Sequence, residues 1–261
     1  MSRAERWAPV VFGLAALGLW QGLVIGLRVP PYVLPGPAAI VAAFWADRAS
    51  LLLSLVSTLA VTGAALLAAA LLGMALALAM AASRLARAAI QPWAVVLQVT
   101  PVVAIAPLII IWVHQQFAAM VVCATIVAFF PVLSNTAAGL AATPPELADL
   151  FRLNGASRWQ TLALLRLPSA LPFFLAGLRI AGTLALVGAV VAEFVASSGG
   201  FAGGLAGRIL EAGYRLEIPR MFAALTLLAL TGIVIYAALG AVERGMLRRF
   251  GAGGRDARGG A

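Results

Sequence analysis

Apolar positions along the chain gather into six stretches, at about 8–27, 50–82, 93–113, 117–137, 169–196 and 221–242, with polar residues confined to the segments between them. About 20 apolar residues cross a bilayer as a helix, and inside lipid only helices and closed barrels satisfy their own backbone. The pattern therefore predicts an all-α membrane protein with about six transmembrane helices. The second stretch has no charge from Ala49 to Ser83. At 1.5 Å per residue it would form a helix about 50 Å long, which must tilt, bend or project beyond the hydrocarbon. Pro101 and Pro107 in the third stretch each remove a backbone donor and predict a kink or an interruption. The first stretch follows Arg3 and Arg6 and lacks a clear A-x-A site, so it reads as a retained helix rather than a cleaved signal.

The longest polar connection, 138–168, predicts structure of its own. Thr143-Pro144-Pro145-Glu146 reads as a helix start, with Thr143 as the cap, Pro144 at the first helical position and Glu146 at the third. Leu147, Leu150 and Phe151 then fall at i, i+3 and i+4, one apolar stripe. A helix this short is not stable alone in water, so the stripe must lie against this chain or a partner. Gly155, after Asn154, suits the left-handed residue that ends a helix. A second amphipathic helix is expected from about Ser157 to Leu167, stopped by Pro168. Elsewhere, Pro30 to Pro37 leads into a short amphipathic piece ending at Asp47 and Arg48, and the loop 197–220 holds Gly199, Gly200, Gly203, Gly204 and Gly207, read as flexible or close-packed backbone. We divide the chain into one membrane domain, 1–250, and a disordered Gly/Arg tail, 251–261.

Composition sharpens the picture: 63% of the 261 residues are hydrophobic and 10% charged, far from the roughly 25% charged residues of a soluble domain. All 18 basic residues are arginine. Without a lysine the chain cannot carry a G-x4-G-K-[ST] nucleotide loop, so any ATP-driven role needs a separate subunit. The net charge of +9 fits topology better than nucleic acid, because the arginines sit mostly at span ends. With both termini inside, twelve arginines face the cytoplasm (3, 6, 84, 87, 152, 158, 166, 244, 248, 249, 255 and 258) and five face outward (28, 48, 208, 215 and 220), with Arg179 within the fifth span. That bias predicts cytoplasmic termini and a cytoplasmic 138–168 loop.

The segment Asp149-Leu150-Phe151-x3-Gly155-x9-Leu165-Arg166-Leu167-Pro168 resembles the cytoplasmic coupling loop of ABC importer permeases, whose pattern is E-A-A-x3-G-x9-I-x-L-P. The glycine, leucine and proline match. Asp149 stands for the glutamate and Leu165 for the isoleucine, while Leu150 and Phe151 replace two alanines and make the surface bulkier. The likeness extends over about 30–245. Thr100 to Leu108 and Glu193 to Phe201 resemble the nitrate, sulfonate, taurine and thiamine-precursor branch, the first of them permeases for pyrimidine- or flavin-type vitamin precursors. The resemblance implies a type I importer permease fold in the bacterial inner membrane, working as a homodimer with two ATP-binding-cassette ATPase subunits and an external substrate-binding protein. It also implies that Glu146, Leu147, Asp149, Leu150, Phe151, Gly155, Leu165, Leu167 and Pro168 couple the chain to the ATPase.

No catalytic, cofactor or metal constellation is visible, and the chain is not expected to be an enzyme. His114 is the one histidine and reads as a solvated residue at a helix end; Cys123 lies in an apolar run and reads as a small core residue. Candidate path-lining residues are Gln98, Thr100, Ser134, Asn135, Thr183 and Glu193. Glu193 is open to either a transport role or a structural pairing with Arg179 or an outer arginine. The alternative to an ATP-driven permease is an ion-coupled secondary transporter or channel, which calls for intramembrane acidic or histidine relays and inverted sequence halves.

Overall fold

In the computed structural model, which describes residues 3–198 and 203–249, the chain is helical: α1 (Arg3–Gly26), α2 (Pro37–Ala46), α3 (Arg48–Ala82), α4 (Arg84–Val99), α5 (Val102–Trp112), α6 (Gln116–Ala141), α7 (Pro145–Leu153), α8 (Arg158–Thr161), α9 (Leu167–Ser198), α10 (Leu205–Tyr214) and α11 (Ile218–Arg249). A π turn, Leu162–Arg166, joins α8 to α9. The tail 251–261, with its expected disorder, lies outside the described residues, as do Gly199, Gly200 and Phe201.

Four helical segments are long and apolar enough to cross a membrane: Arg48–Ala82, Gln116–Ala141, Arg158–Ser197 and Ile218–Arg248. A fifth span is possible from α4 and α5, which meet at 103°. The break falls at Thr100 and Pro101, where α4 ends and extended backbone begins, while Pro107 is accommodated inside α5. α1 adds a shorter apolar stretch, Val10–Gly26. The uncharged second stretch is one continuous helix of 35 residues, about 50 Å long.

The chain divides into two compact units, Met1–Ser57 with Ser197–Leu230, and Thr58–Ala196 with Thr231–Ala261. The second holds the main core, built largely from small residues such as Ala65, Ala69, Ala124, Ala128, Ala185 and Ala189. Small side chains let backbones close on one another where lipid supplies no hydrophobic drive between helices. The antiparallel pair α6/α9 shows this most clearly. A Cβ on Gly188 would lie 2.7 Å from the Ala124 Cα, one on Gly177 2.8 Å from the Pro131 carbonyl oxygen, and one on Gly139 2.7 Å from the Phe173 Cβ. Cys123 is fully buried in this core, as expected of a small apolar residue. Between α9 and α11, Arg179 pairs with Glu243 at 3.3 Å and stacks 3.9 Å from the Tyr236 ring centroid. The partner of Arg179 is therefore Glu243.

In the first unit, Gln21 of α1 accepts from the Ala38 amide at 3.1 Å, and Gly36 packs so close to the Gln21 amide that a Cβ would meet it at 2.7 Å. One expectation is corrected here. α2, PAAIVAAFWA, is apolar on every face rather than amphipathic. The glycine loop 197–220 contains α10, in which Gly207 is buried, in keeping with the close-packed of the two readings. An arginine network fixes α10 and the start of α11: Arg220 bonds Asp47 at 2.7 Å and Glu217 at 2.9 Å, and Arg208 bonds Glu211 at 2.8 Å and the Ser54 hydroxyl at 3.0 Å. Partial burial raises the Glu211 pKa, but the hydrogen bond and charge of Arg208, with the charges of Arg215 and Arg220, outweigh it and hold the carboxyl below its usual range. Arg220→Ala strands two half-buried carboxylates and is expected to cost about 2 kcal/mol, a charged hydrogen bond's worth, read as a lowered thermal midpoint of the purified protein.

Candidate functional site: the exposed α7–α8 loop

α7 starts one residue later than the sequence suggests. Pro144 is the N-cap and Pro145 the first helical residue, and no side chain caps the start. The Thr143 hydroxyl instead turns back to the Leu140 carbonyl at 3.3 Å. Proline suits the first helical position because the amide there has no intrahelical partner to lose, and Glu146 in the first turn complements the helix dipole. The capping box lies at the next helix: Ser157 Oγ accepts from the Gln160 amide at 3.2 Å while Gln160 Oε1 accepts from the Ser157 amide at 2.8 Å.

The end of α7 follows the expectation. Gly155 has φ +74°, its amide donates to Arg152 at 3.1 Å, and the Ala156 amide donates to Phe151 at 3.0 Å. These are the two bonds of a Schellman motif, reinforced by the Asn154 side chain on the Leu150 carbonyl at 2.8 Å. A Cβ at Gly155 would meet no neighbour within 4 Å, so its requirement is conformational and not spatial. Gly155→Val is expected to leave the membrane helices folded while straining the left-handed turn by about 1–2 kcal/mol and turning α7 out of line. Normal membrane yield with faster limited proteolysis within 145–161 is the measurable result.

The second helix does not stop at Pro168. α8 passes through the π turn straight into α9, with Pro168 in the first turn of the latter. The Leu167 amide donates to Leu162, five residues back. The missing donor of Pro168 therefore falls where the ladder returns from π to α spacing, and the Ser169 hydroxyl bonds the Leu165 carbonyl at 2.8 Å. A proline within the first turn of a resumed helix is tolerated because its amide is not needed there.

These details sort the loop residues into three groups. Glu146, Leu147, Asp149 and Leu150 are exposed, Phe151 is half-buried, and no residue of α7 is buried. Leu150 is 52% exposed, so the apolar stripe is uncovered by this chain. Asp149 and Arg152 form only a loose, exposed pair at 3.8 Å, worth little. Gly155 is the turn. Leu165, 8% exposed, and Leu167, packed on the core, tie the loop to the helices, and Leu167 and Pro168 line an apolar cleft of about 270 Å3 with Met74 and Phe174. Sequence reasoning missed Leu153 and Trp159, both exposed in the same loop. Their signal was a large apolar residue in a polar connection.

Four of the expected path residues bond within their own helices. The hydroxyls of Thr100, Ser134 and Thr183 bond carbonyls of their own helices, at 2.7 Å to Val96, 3.4 Å to Pro131 and 2.9 Å to Ile180, and the Asn135 amide also bonds Pro131 at 2.8 Å. Gln98 is exposed, Glu193 is 2% exposed within α9, and His114 is exposed at a helix end.

The comparisons bear on the whole chain. Residues 69–248 match the family model "Binding-protein-dependent transport system inner membrane component". The chain is 36% identical over 235 residues to the riboflavin transport system permease protein RibX of Chloroflexus aurantiacus, covering 89% of this chain and 86% of that protein. It is 34% identical over 242 residues to the formylaminopyrimidine transport permease protein ThiX of Halalkalibacterium halodurans, covering 92% and 94%. Its fold is similar to that of a chain in the inward-facing MetNI methionine ABC transporter, with TM-score 0.61, 20% identity, and coverage of 81% of this chain and 98% of that one. With helices of membrane-crossing length, an uncovered apolar loop helix closed by Gly155, and this match over most of its residues, the chain belongs to the family of inner membrane components of binding-protein-dependent transport systems, the ABC importer permeases.

Proposed function

We propose that this permease imports a small heteroaromatic vitamin or vitamin precursor of flavin or pyrimidine type. The names of the two relatives aligned over nearly their whole lengths support that substrate class, as does the low charge of the spans. In this reading residues 1–250 form one membrane domain in the bacterial inner membrane, with cytoplasmic termini and the 138–168 loop on the same side. Two copies build the path, two separate ATPase subunits hydrolyse ATP, and an external binding protein delivers substrate.

The observation that carries the coupling role is the uncovered stripe of α7, ending at the left-handed Gly155. A short helix presenting an apolar face fits a groove on a partner. Its rigid continuation through α8 and the π turn into α9 gives ATP-driven closure of the partner a direct lever on a membrane-crossing helix. The exposed docking residues are Glu146, Leu147, Asp149, Leu150 and Phe151, while Leu165, Leu167 and Pro168 hold the lever to the core. Glu193 and the polar residues Gln98, Thr100, Ser134, Asn135 and Thr183 remain the candidates to meet substrate as the helices move. Family membership leaves the ion-coupled alternative without support.

Uptake into proteoliposomes containing the permease, its ATPase and its binding protein tests the substrate. ATP-dependent accumulation of riboflavin or formylaminopyrimidine, with none of nitrate or taurine, is expected; the reverse pattern would sink the assignment. Sidedness is tested separately in a Cys123→Ser background. Labelling of Glu146→Cys by an impermeant maleimide from outside intact cells would overturn both the topology and the coupling role.

A further inference from the structure

The end of α3 and the first half of α4 border a cavity of about 440 Å3, no part of which belongs to the α7–α8 loop. Met80, Ala81 and Ala82 of α3 and Ala88 of α4 form its apolar wall, and Arg84, Arg87 and Gln91 supply its polar groups. At i, i+3 and i+7 these three share one stripe of α4, so two guanidinium groups and a carboxamide converge on one space. Both arginines are exposed. Arg152, Arg179, Arg208, Arg215 and Arg220 each lie beside a carboxylate, whereas among the described residues Arg84 and Arg87 do not. The chain has no Asp or Glu between Asp47 and Glu146, so α3 to α6 hold no acid that could neutralise the pair.

Position adds to charge. α3 has 35 residues, about 50 Å of helix against roughly 30 Å of hydrocarbon, so its ends reach the headgroup layers. α4 is turned 103° from α5, and the two cannot both run along the membrane normal. Opposite its arginine stripe α4 carries Ile90, Trp93 and Leu97. A helix with arginine on one face and tryptophan and leucine on the other belongs at the membrane surface.

We propose that this cavity binds an anionic phospholipid, with the phosphate held by Arg84 and Arg87. Phosphate oxygens match the planar donors of arginine two at a time. The Gln91 amide donates to the glycerol oxygens, and the first methylenes of the lipid lie against Met80 and the alanines. A dissolved phosphate has the same charge chemistry but leaves that apolar wall uncovered. The site rests on the membrane-crossing length of α3 and is independent of the substrate and coupling readings above.

The test follows the thermal midpoint of the full-length permease, stripped of native lipid in neutral detergent, as dioleoylphosphatidylglycerol is added. The midpoint rises saturably with the mole fraction of this lipid and does not respond to dioleoylphosphatidylcholine, whose choline cation opposes the arginines. Arg84→Gln with Arg87→Gln raises the half-saturating fraction about ten-fold or more, each arginine at an anionic surface counting for about five-fold. Ala88→Phe keeps both charges, fills the cavity and weakens binding as well. Arg244→Gln with Arg248→Gln removes the same charge from the end of α11 and leaves half-saturation unchanged. Every substituted residue is exposed, so the lipid-free midpoints stay close to that of the parent. An unaltered titration in the Arg84/Arg87 variant overturns the proposal, as does an equal loss in the two arginine pairs, which assigns the effect to surface charge in general. Full binding by Ala88→Phe removes the lipid from the cavity and overturns the site. Inorganic phosphate that reproduces the whole midpoint shift overturns the lipid and assigns the arginines to a soluble anion.

Discussion

Leu150→Asp combined with Phe151→Asp is expected to abolish copurification of the ATPase subunit while leaving the permease in the membrane in normal amount. Neither side chain is buried in the chain itself, so the fold loses little. In a docked complex each would be covered, and covering one such side chain is worth about 1.5–3 kcal/mol. Losing two, before the added cost of desolvating two carboxylates, amounts to about 4 kcal/mol, roughly a thousand-fold in affinity. A complex that survives purification would not survive that change. Leu150→Ala with Phe151→Ala is the informative companion, because it restores the two alanines of the permease pattern and keeps the helix. It should weaken the complex without abolishing it. Undiminished copurification with the double Asp variant would show that α7 is only a connector.

Gly188→Leu should have the largest effect on the protein itself. The new Cβ would stand 2.7 Å from a backbone atom, the Ala124 Cα, and 3.2 Å from the Val127 Cβ, so no side-chain rotation relieves it. α6 and α9 must part, and the loss spreads to Gly177 and Gly139 along the same contact. Overpacking in a close-packed interior costs about 1–3 kcal/mol and occasionally more; with backbone as the obstacle the upper end is expected. Little folded protein should be recovered from detergent, and what is recovered should unfold several degrees lower. Gly63→Leu is the control, since nothing lies within 4 Å of its Cβ position. Equal yield and equal thermal midpoints for the two variants would disprove the close α6/α9 approach.

Some of this was open to reading in the residues. Uninterrupted apolar runs have few alternatives to membrane helices, because an unpaired backbone in lipid is too costly; α3, α6, α9 and α11 follow from that alone. Pro101 announced the break between α4 and α5, and the glycine after Asn154 announced the end of α7, because each has a local conformational demand that no distant contact can override. Where a local signal had competitors the reading slipped. Thr143 read as the cap, yet the helix begins one residue later with Pro144 at the N-cap, and the Thr143 hydroxyl bonds the Leu140 carbonyl instead. Pro168 looked like a stop, but a π turn shifted the hydrogen-bond ladder so that the proline fell where a donor is not needed.

The membrane class, the approximate spans, the absence of a G-x4-G-K-[ST] loop and the left-handed turn at Gly155 were determined by the sequence, since each depends on residue type and spacing within one segment. Which residues stand uncovered was decided only by tertiary structure. Leu150 and Leu165 are the same residue type in the same loop, and packing alone makes one an exposed contact and the other an anchor in the core. The pairing of Arg179 with Glu243, 64 positions away, and of Arg220 with Asp47, 173 positions away, required the helices to be brought side by side. No periodicity encodes such partners, because a charge records its own cost in the chain but not the place where that cost is met.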